Sequence, residues 1–127
     1  MAARWTWIRE DAILAVHAEQ LAEHGGGSGI RDLGLLQSAL ARPQNLVAYG
    51  DPDAADLAAA YAYGIARNHP FVDGNKRTAA VAAVMFLWTN GVETRIGEAE
   101  LVVTILALAA GELGEEELVA WLRERIE

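Results

Sequence analysis

Apolar residues recur at helical spacing along this chain, and breakers cut the pattern into about six segments. Within residues 10–24, Ile13, Leu14, His17 and Leu21 share one face, which predicts a first helix. A short stretch at 5–8 reads as an extended lead-in. The first helix stops at Gly25-Gly26-Gly27-Ser28-Gly29, a loop able to take dihedrals that other residues avoid, and reads as a flexible connection. Asp32 is a good N-cap for a second helix to about Ala41. Arg42-Pro43 should end it, because the residue before proline disfavours helix, leaving 44–51 irregular or extended. Asp53 then caps an alanine-rich helix over 54–68.

A loop at 69–74 leads into a helix from about Asn75 to Thr89. Its stretch 79–88 is apolar nearly all round, the pattern of a buried central helix. Asn90-Gly91 stops it by a left-handed cap. Residues 98–111 read as another buried helix, with Leu101, Val102, Ile105, Leu106 and Leu108. Gly114 precedes a last helix over 115–126, acidic at its start and carrying Arg123 and Arg125 at its end, as the dipole favours. Strand signals are few. The expected fold is all-α: a compact bundle of about six helices in a single domain, residues 1–127, with a buried central helix.

Composition narrows the chemistry. The chain has 127 residues and is 53% apolar, enough for one core. Without cysteine it can form neither disulfides nor a thiolate metal site, which fits a cytoplasmic protein. The apolar run 79–88 is too short to span a bilayer, and Met1-Ala2-Ala3-Arg4-Trp5 lacks a signal-peptide layout, so no membrane association is expected. A net charge of −8 argues against direct nucleic-acid binding, since that affinity comes from cationic contacts to phosphates. Arg67, Lys76 and Arg77 still make a local basic spot able to hold one nucleotide.

The stretch His69-Pro70-Phe71-Val72-Asp73-Gly74-Asn75-Lys76-Arg77 carries the candidate chemistry. It ends where a helix begins, and helix N-termini bind anions through unpaired N–H groups and a positive dipole end. His69 precedes Pro70, so an extended loop conformation is expected for it, and its imidazole can take a hydroxyl proton near neutral pH. Against that stands a histidine that only bonds backbone in a turn. Phe71 is expected to anchor the loop by packing. Asp73 suits either an N-cap or Mg²⁺, a hard cation that shares oxygen ligands with phosphates. Gly74 permits close approach of a phosphate, and Asn75 offers amide donors. Lys76 and Arg77 oppose the helix dipole, which a bound anion would explain better than a solvated face does. His17 reads as a hydrogen-bonded core histidine, His24 as a solvated helix end, and Trp5, Trp7, Trp88 and Trp121 as core or partner-facing packing.

These nine residues resemble the Fic/Doc signature His-x-Phe-x-Asp/Glu-Gly/Ala-Asn-Gly/Lys-Arg, with each fixed position occupied. The resemblance extends to Gly25-Gly26, to Arg31-Asp32 with Leu35-Leu36, and to the Asn90-Gly91 stop, and is closest to the Doc branch, the death-on-curing toxins. It implies the Fic/Doc fold, with His69 as the base, Asp73 holding Mg²⁺, Gly74, Asn75 and the backbone near Lys76 as an anion nest, and Lys76 and Arg77 on ATP phosphates. Residues 44–50 would be the flap that aligns a target segment. Adenylylating members carry glycine at the position of Lys76 and arginine at that of Ala80, so the departure here implies a Doc-like Ser/Thr protein kinase acting on elongation factor Tu and arresting translation. Thr6 to Glu10 and Thr89 to Glu93 have the spacing of the family's self-inhibitory helix, but Asp11 and Thr94 break its pattern. Restraint is therefore expected from a separate antitoxin, whose Phd-like helical tail would lie in a surface groove. Two alternatives stay open: a protein adenylyltransferase or other nucleotidyl-transferase on the same site, and a non-catalytic partner-binding module.

Overall fold

Six helices form along the chain: α1 Glu10–His24, α2 Leu33–Tyr49, α3 Ala54–Asn68, α4 Asn75–Thr89, α5 Glu98–Ala109 and α6 Glu115–Arg123. A computed structural model describes residues 4–127; residues 1–3, part of the stretch in which no signal peptide is expected, lie outside it. Among the described residues there is no strand, only two isolated bridges, Ile30 with Phe71 and Thr94 with Ile126. No described helix is long and apolar enough to cross a membrane.

The centre is α3 against α4. Alanine supplies seven of the fifteen residues of α3 and four of the fifteen of α4, most of them at the seam. Ala58, Ala59, Ala62, Ala79, Ala82 and Ala83 are all fully buried. At Gly64 a Cβ would stand 3.0 Å from Ala39, so α2 crosses α3 in near backbone contact. The buried residues form one cluster, with Phe86 at one end receiving Tyr61 at 5.3 Å, Trp5 at 5.9 Å and Trp7 at 6.0 Å between ring centroids. The Tyr61 hydroxyl accepts the Ile8 N–H at 3.0 Å, and burial pushes its phenol above the ordinary range.

Two sequence expectations fail here. α2 does not stop at Arg42-Pro43 but continues to Tyr49, so residues 44–50 are not an extended flap. Pro43 is buried inside this helix and costs one N–H. Tertiary contacts hold Arg42 helical regardless: its guanidinium grips the Glu115 carboxylate at both oxygens, one at 2.7 Å, and lies 4.9 Å over the Tyr63 ring. α5 is not buried all round. It seats Leu101, Ile105 and Leu108 and leaves Val103 and Leu106 exposed, because no other described helix covers its outer face.

Asp53 ties three parts of the chain together. Its side chain caps α3 at the Asp56 N–H (2.9 Å), Asp56 returns the bond to the Asp53 N–H (2.9 Å), and Arg123 of α6 reaches Asp53 at 2.8 and 3.1 Å. The Arg123 hydrogen bond, helped by the Asp56 N–H, holds the Asp53 carboxyl at about 2, below its usual 3.8. A carboxyl lowered on folding stabilises above its unfolded value, and the contribution is lost as pH falls through the folded value. Asp53→Ala should therefore cost about 1–2 kcal/mol at neutral pH. In urea unfolding the gap from wild type should close as pH drops from 3.8 towards about 2. A gap that stays constant over that range would rule out the ion pair as its source.

Candidate active site

The site is built on the turn from α3 into α4. α3 ends at His69, which is left-handed (φ 51°, ψ 55°) and is the one non-glycine with positive φ among the described residues. The extended conformation expected before Pro70 is not adopted. A left-handed L-residue costs about 1–2 kcal/mol, so something must hold it. The His69 N–H closes on the Ile65 carbonyl at 3.3 Å, while the Arg31 guanidinium donates to the carbonyls of His69 (2.6 Å) and Asn68 (2.8 Å). Hydrogen bonds to a charged group contribute about 1.5–3 kcal/mol each, less where exposed as here, and two of them still exceed the strain.

Asn75 holds the next part of the loop. Its amide oxygen accepts the Phe71 N–H at 2.9 Å, and its NH₂ donates to the Phe71 carbonyl at 3.0 Å. The other amide hydrogen points at His69 Nδ1, 3.3 Å away. An amide nitrogen donates and does not accept, so in this contact Nδ1 is the acceptor. Asn75 is buried, so its side chain is a loop clamp and not the phosphate donor that the sequence suggests; only its backbone N–H is left for that. Phe71 packs as expected, stacked on His17 at 3.7 Å between centroids. His17, the expected core histidine, donates from Nε2 to the Asp73 carbonyl at 2.8 Å.

The N-cap of α4 is Gly74, left-handed at φ 77°, so Asp73 is not the cap. The Asp73 carboxylate accepts the Gly74 N–H at 2.8 Å on one oxygen and the Gly27 N–H at 3.4 Å on the other. The first intrahelical bond runs from the Thr78 N–H to the Gly74 carbonyl, so the N–H groups of Asn75, Lys76 and Arg77 precede the helical ladder. Lys76 and Arg77 are exposed beside them. His69, Asp73, Gly74, Lys76 and Arg77 border one open cleft of about 490 Å³.

Sequence reasoning missed three contributors. The glycine loop is no loose connection: Val72 N–H bonds the Gly29 carbonyl (3.1 Å), and at Gly26 a Cβ would lie 2.8 Å from Asp73 Oδ2. Glycine there, at φ 123°, is what lets the loop lie against the carboxylate. His24 is not a plain solvated end, since its Nε2 lies 3.3 Å from the Arg77 guanidinium at the cleft's edge. Arg31 carried no signal beyond its place in the resemblance. Of residues 44–50, Asn45, Leu46, Tyr49 and Gly50 line a different cleft, between the end of α2 and the start of α3.

The Fic/DOC family model matches residues 7–87. The chain is 54% identical over 71 residues to Toxin Doc of Mycolicibacterium smegmatis, a match covering 54% of this chain and 55% of that protein, so it spans about half of that relative's length. It is 33% identical over 117 residues to Protein kinase doc of Escherichia phage P1, covering 91% of this chain and 92% of that one.

Asn75→Ala should strand the buried Phe71 N–H and carbonyl without partners and destabilise the protein by about 2–3 kcal/mol. Asn75→Asp, which keeps the acceptor and loses the donor, should fall between the two in urea unfolding. An alanine variant within 0.5 kcal/mol of wild type, the range of about ±0.5 usual for surface changes, would disprove the clamp.

Proposed function

Because this chain belongs to the Fic/DOC family and to its Doc branch, we propose that it is the toxin of a toxin–antitoxin pair and a protein kinase that moves the γ-phosphate of ATP to a Ser or Thr hydroxyl of a translation factor. Elongation factor Tu is the target that the resemblance implies, with translation arrest in the cytoplasm as the outcome. The observation that carries this reading is the gathering of His69, Asp73 and an unladdered row of N–H groups in one cleft.

The residues suit the reaction. Phosphoryl transfer needs positioning and charge stabilisation more than covalent help. The N–H groups of Asn75, Lys76 and Arg77 cradle the phosphate, with the Lys76 and Arg77 side chains taking up charge. His69 accepts the proton of the attacking hydroxyl as the bond from γ-phosphorus to that oxygen forms and the bond to the bridging oxygen of ADP breaks. Among the described residues no three His, Cys, Asp or Glu side chains cluster as a metal cage. Asp73 alone fits Mg²⁺, which keeps water and phosphate oxygens and needs only one or two protein carboxylates. When bound, the ion would neutralise phosphate charge.

Lys76 and Ala80 support transfer of the γ-phosphate over adenylylation. A lysine fills the place of the adenylylating glycine, and buried Ala80 brings no cation to the next turn. The antitoxin reading is supported by a groove of about 550 Å³ that opens beside Arg77 and is walled by Val16, Val84, Met85, Trp88 and Leu101. Trp88 is 66% exposed there, which suits an apolar helix seated in the groove.

With elongation factor Tu and ATP labelled at the α- or γ-phosphate, wild type should transfer the γ-label alone. His69→Asn, chosen because asparagine tolerates the left-handed turn, should transfer none. Transfer of the α-label would mean an adenylyltransferase, and full transfer by His69→Asn would remove the base role. For the groove, Trp88→Glu should weaken binding of the antitoxin encoded next to this chain by about tenfold or more in calorimetry; unchanged affinity would move the antitoxin elsewhere.

A further inference from the structure

We propose that Arg31 is a positioning residue for the base: it fixes the left-handed backbone of His69 and thereby the place of the imidazole in the cleft. The inference rests on the reading of His69 as the base. Arg31 Nε and Nη2 bond the carbonyls of His69 (2.6 Å) and Asn68 (2.8 Å). From the same segment, the N–H groups of Arg31 and Asp32 both bond the Pro70 carbonyl, at 2.7 and 3.0 Å. The Asn68 side chain donates to the Leu35 carbonyl of α2 at 3.0 Å. Residues 68, 69 and 70 are thus each held by the stretch that opens α2, and His69 is the one among them in a disfavoured conformation.

Arginine near a helix C-terminus ordinarily satisfies the last carbonyls and complements the dipole. A stabilising cap of that kind could bond any late carbonyl. Here the acceptors are the carbonyl of the base itself and the one before it, and the base precedes a proline that biases its backbone towards extended dihedrals. Without Arg31, rotation about the His69 backbone would swing the ring away from Asn75 and Asp73. Among the described residues Arg31 makes no hydrogen bond to the N–H groups that open α4 or to Arg77, so nucleotide binding is separate from this control. Strain held at one residue by its surroundings is a pattern found at functional sites.

Arg31→Ala and Arg31→Lys separate the two roles, because an ammonium offers no planar fork for two carbonyls. Both are assayed below their melting transitions, with His69→Asn as the inactive reference. Arg31→Ala should lower kcat by about tenfold to a hundredfold, the effect of a small misplacement of a reacting group, with KM for ATP changed less than about twofold. Arg31→Lys should lie between alanine and wild type. The chain has three histidines, so ring resonances can be followed one by one. The His69 signals should shift in Arg31→Ala while those of His17 stay in place. Wild-type kcat, or unmoved His69 ring signals, would overturn the proposal. If Arg31→Ala does not fold, Arg31→Lys decides by the same two readouts. An active His69→Asn would instead sink the base reading, whereas a dead His69→Asn beside a fully active Arg31→Ala would sink this inference alone.

Discussion

The bracket of Asn75 around Phe71 is the interaction on which the rest of the site depends. Two buried helices, α3 and α4, are joined by a short loop that must leave the core and return to it. Phe71 is carried inside, and with it one backbone N–H and one carbonyl that water cannot reach. A single amide, from the first residue of α4, satisfies both. Because Asn75 performs this task from within the helix, the loop before it can leave the N–H groups at the start of α4 uncapped by any side chain. Phe71 in turn stacks on His17, and His17 holds the Asp73 carbonyl, so α1 is bound into the same arrangement. Packing of the loop and the absence of a side-chain cap on α4 are thus two sides of one solution.

The helices were legible because their signals are local. Asp32 and Asp53 cap where the spacing predicts, and alanine-rich or apolar runs mark α3 and α4 as central. What escaped is what only tertiary contact decides. Pro43 looks like a stop because the pre-proline rule is a local preference, and the grip of Glu115 on Arg42 overrides it from the far end of the chain. The same rule misplaces His69, whose left-handed turn is held by Arg31, distant in sequence. Leu106 counts as apolar in the pattern yet faces out, since periodicity shows a face without showing whether anything covers it.

The site residues divide along the same line. The signature identifies His69, Asp73, Lys76 and Arg77 by type and spacing, and the fold brings them to one cleft. It does not separate Asn75 the clamp from Asn75 the donor, because both uses need the same amide at the same position. Nor does it reveal Gly26, whose requirement is a distance: a Cβ there would press on the Asp73 carboxylate. A glycine run reads as freedom until its neighbours are known.

Charge placement fits the anion proposed for the cleft. The protein is acidic, and its cations mostly answer its own carboxylates: Arg4, Arg9, Arg42, Arg95, Arg123 and Arg125 each meet one at 3.7 Å or closer. Four cations form no ion pair among the described residues: Arg31 bonds the carbonyls of His69 and Asn68, Arg67 lies over the Tyr63 ring, and Lys76 and Arg77 stand on the first turn of α4, where the dipole repels positive charge. Arg77 faces a histidine instead, which lends no negative charge. Surface ion pairs contribute little, so stability does not decide this placement. In a chain rich in carboxylates, the two cations beside the N–H groups that precede the helical ladder meet none of them among the described residues, as the proposed phosphate site requires.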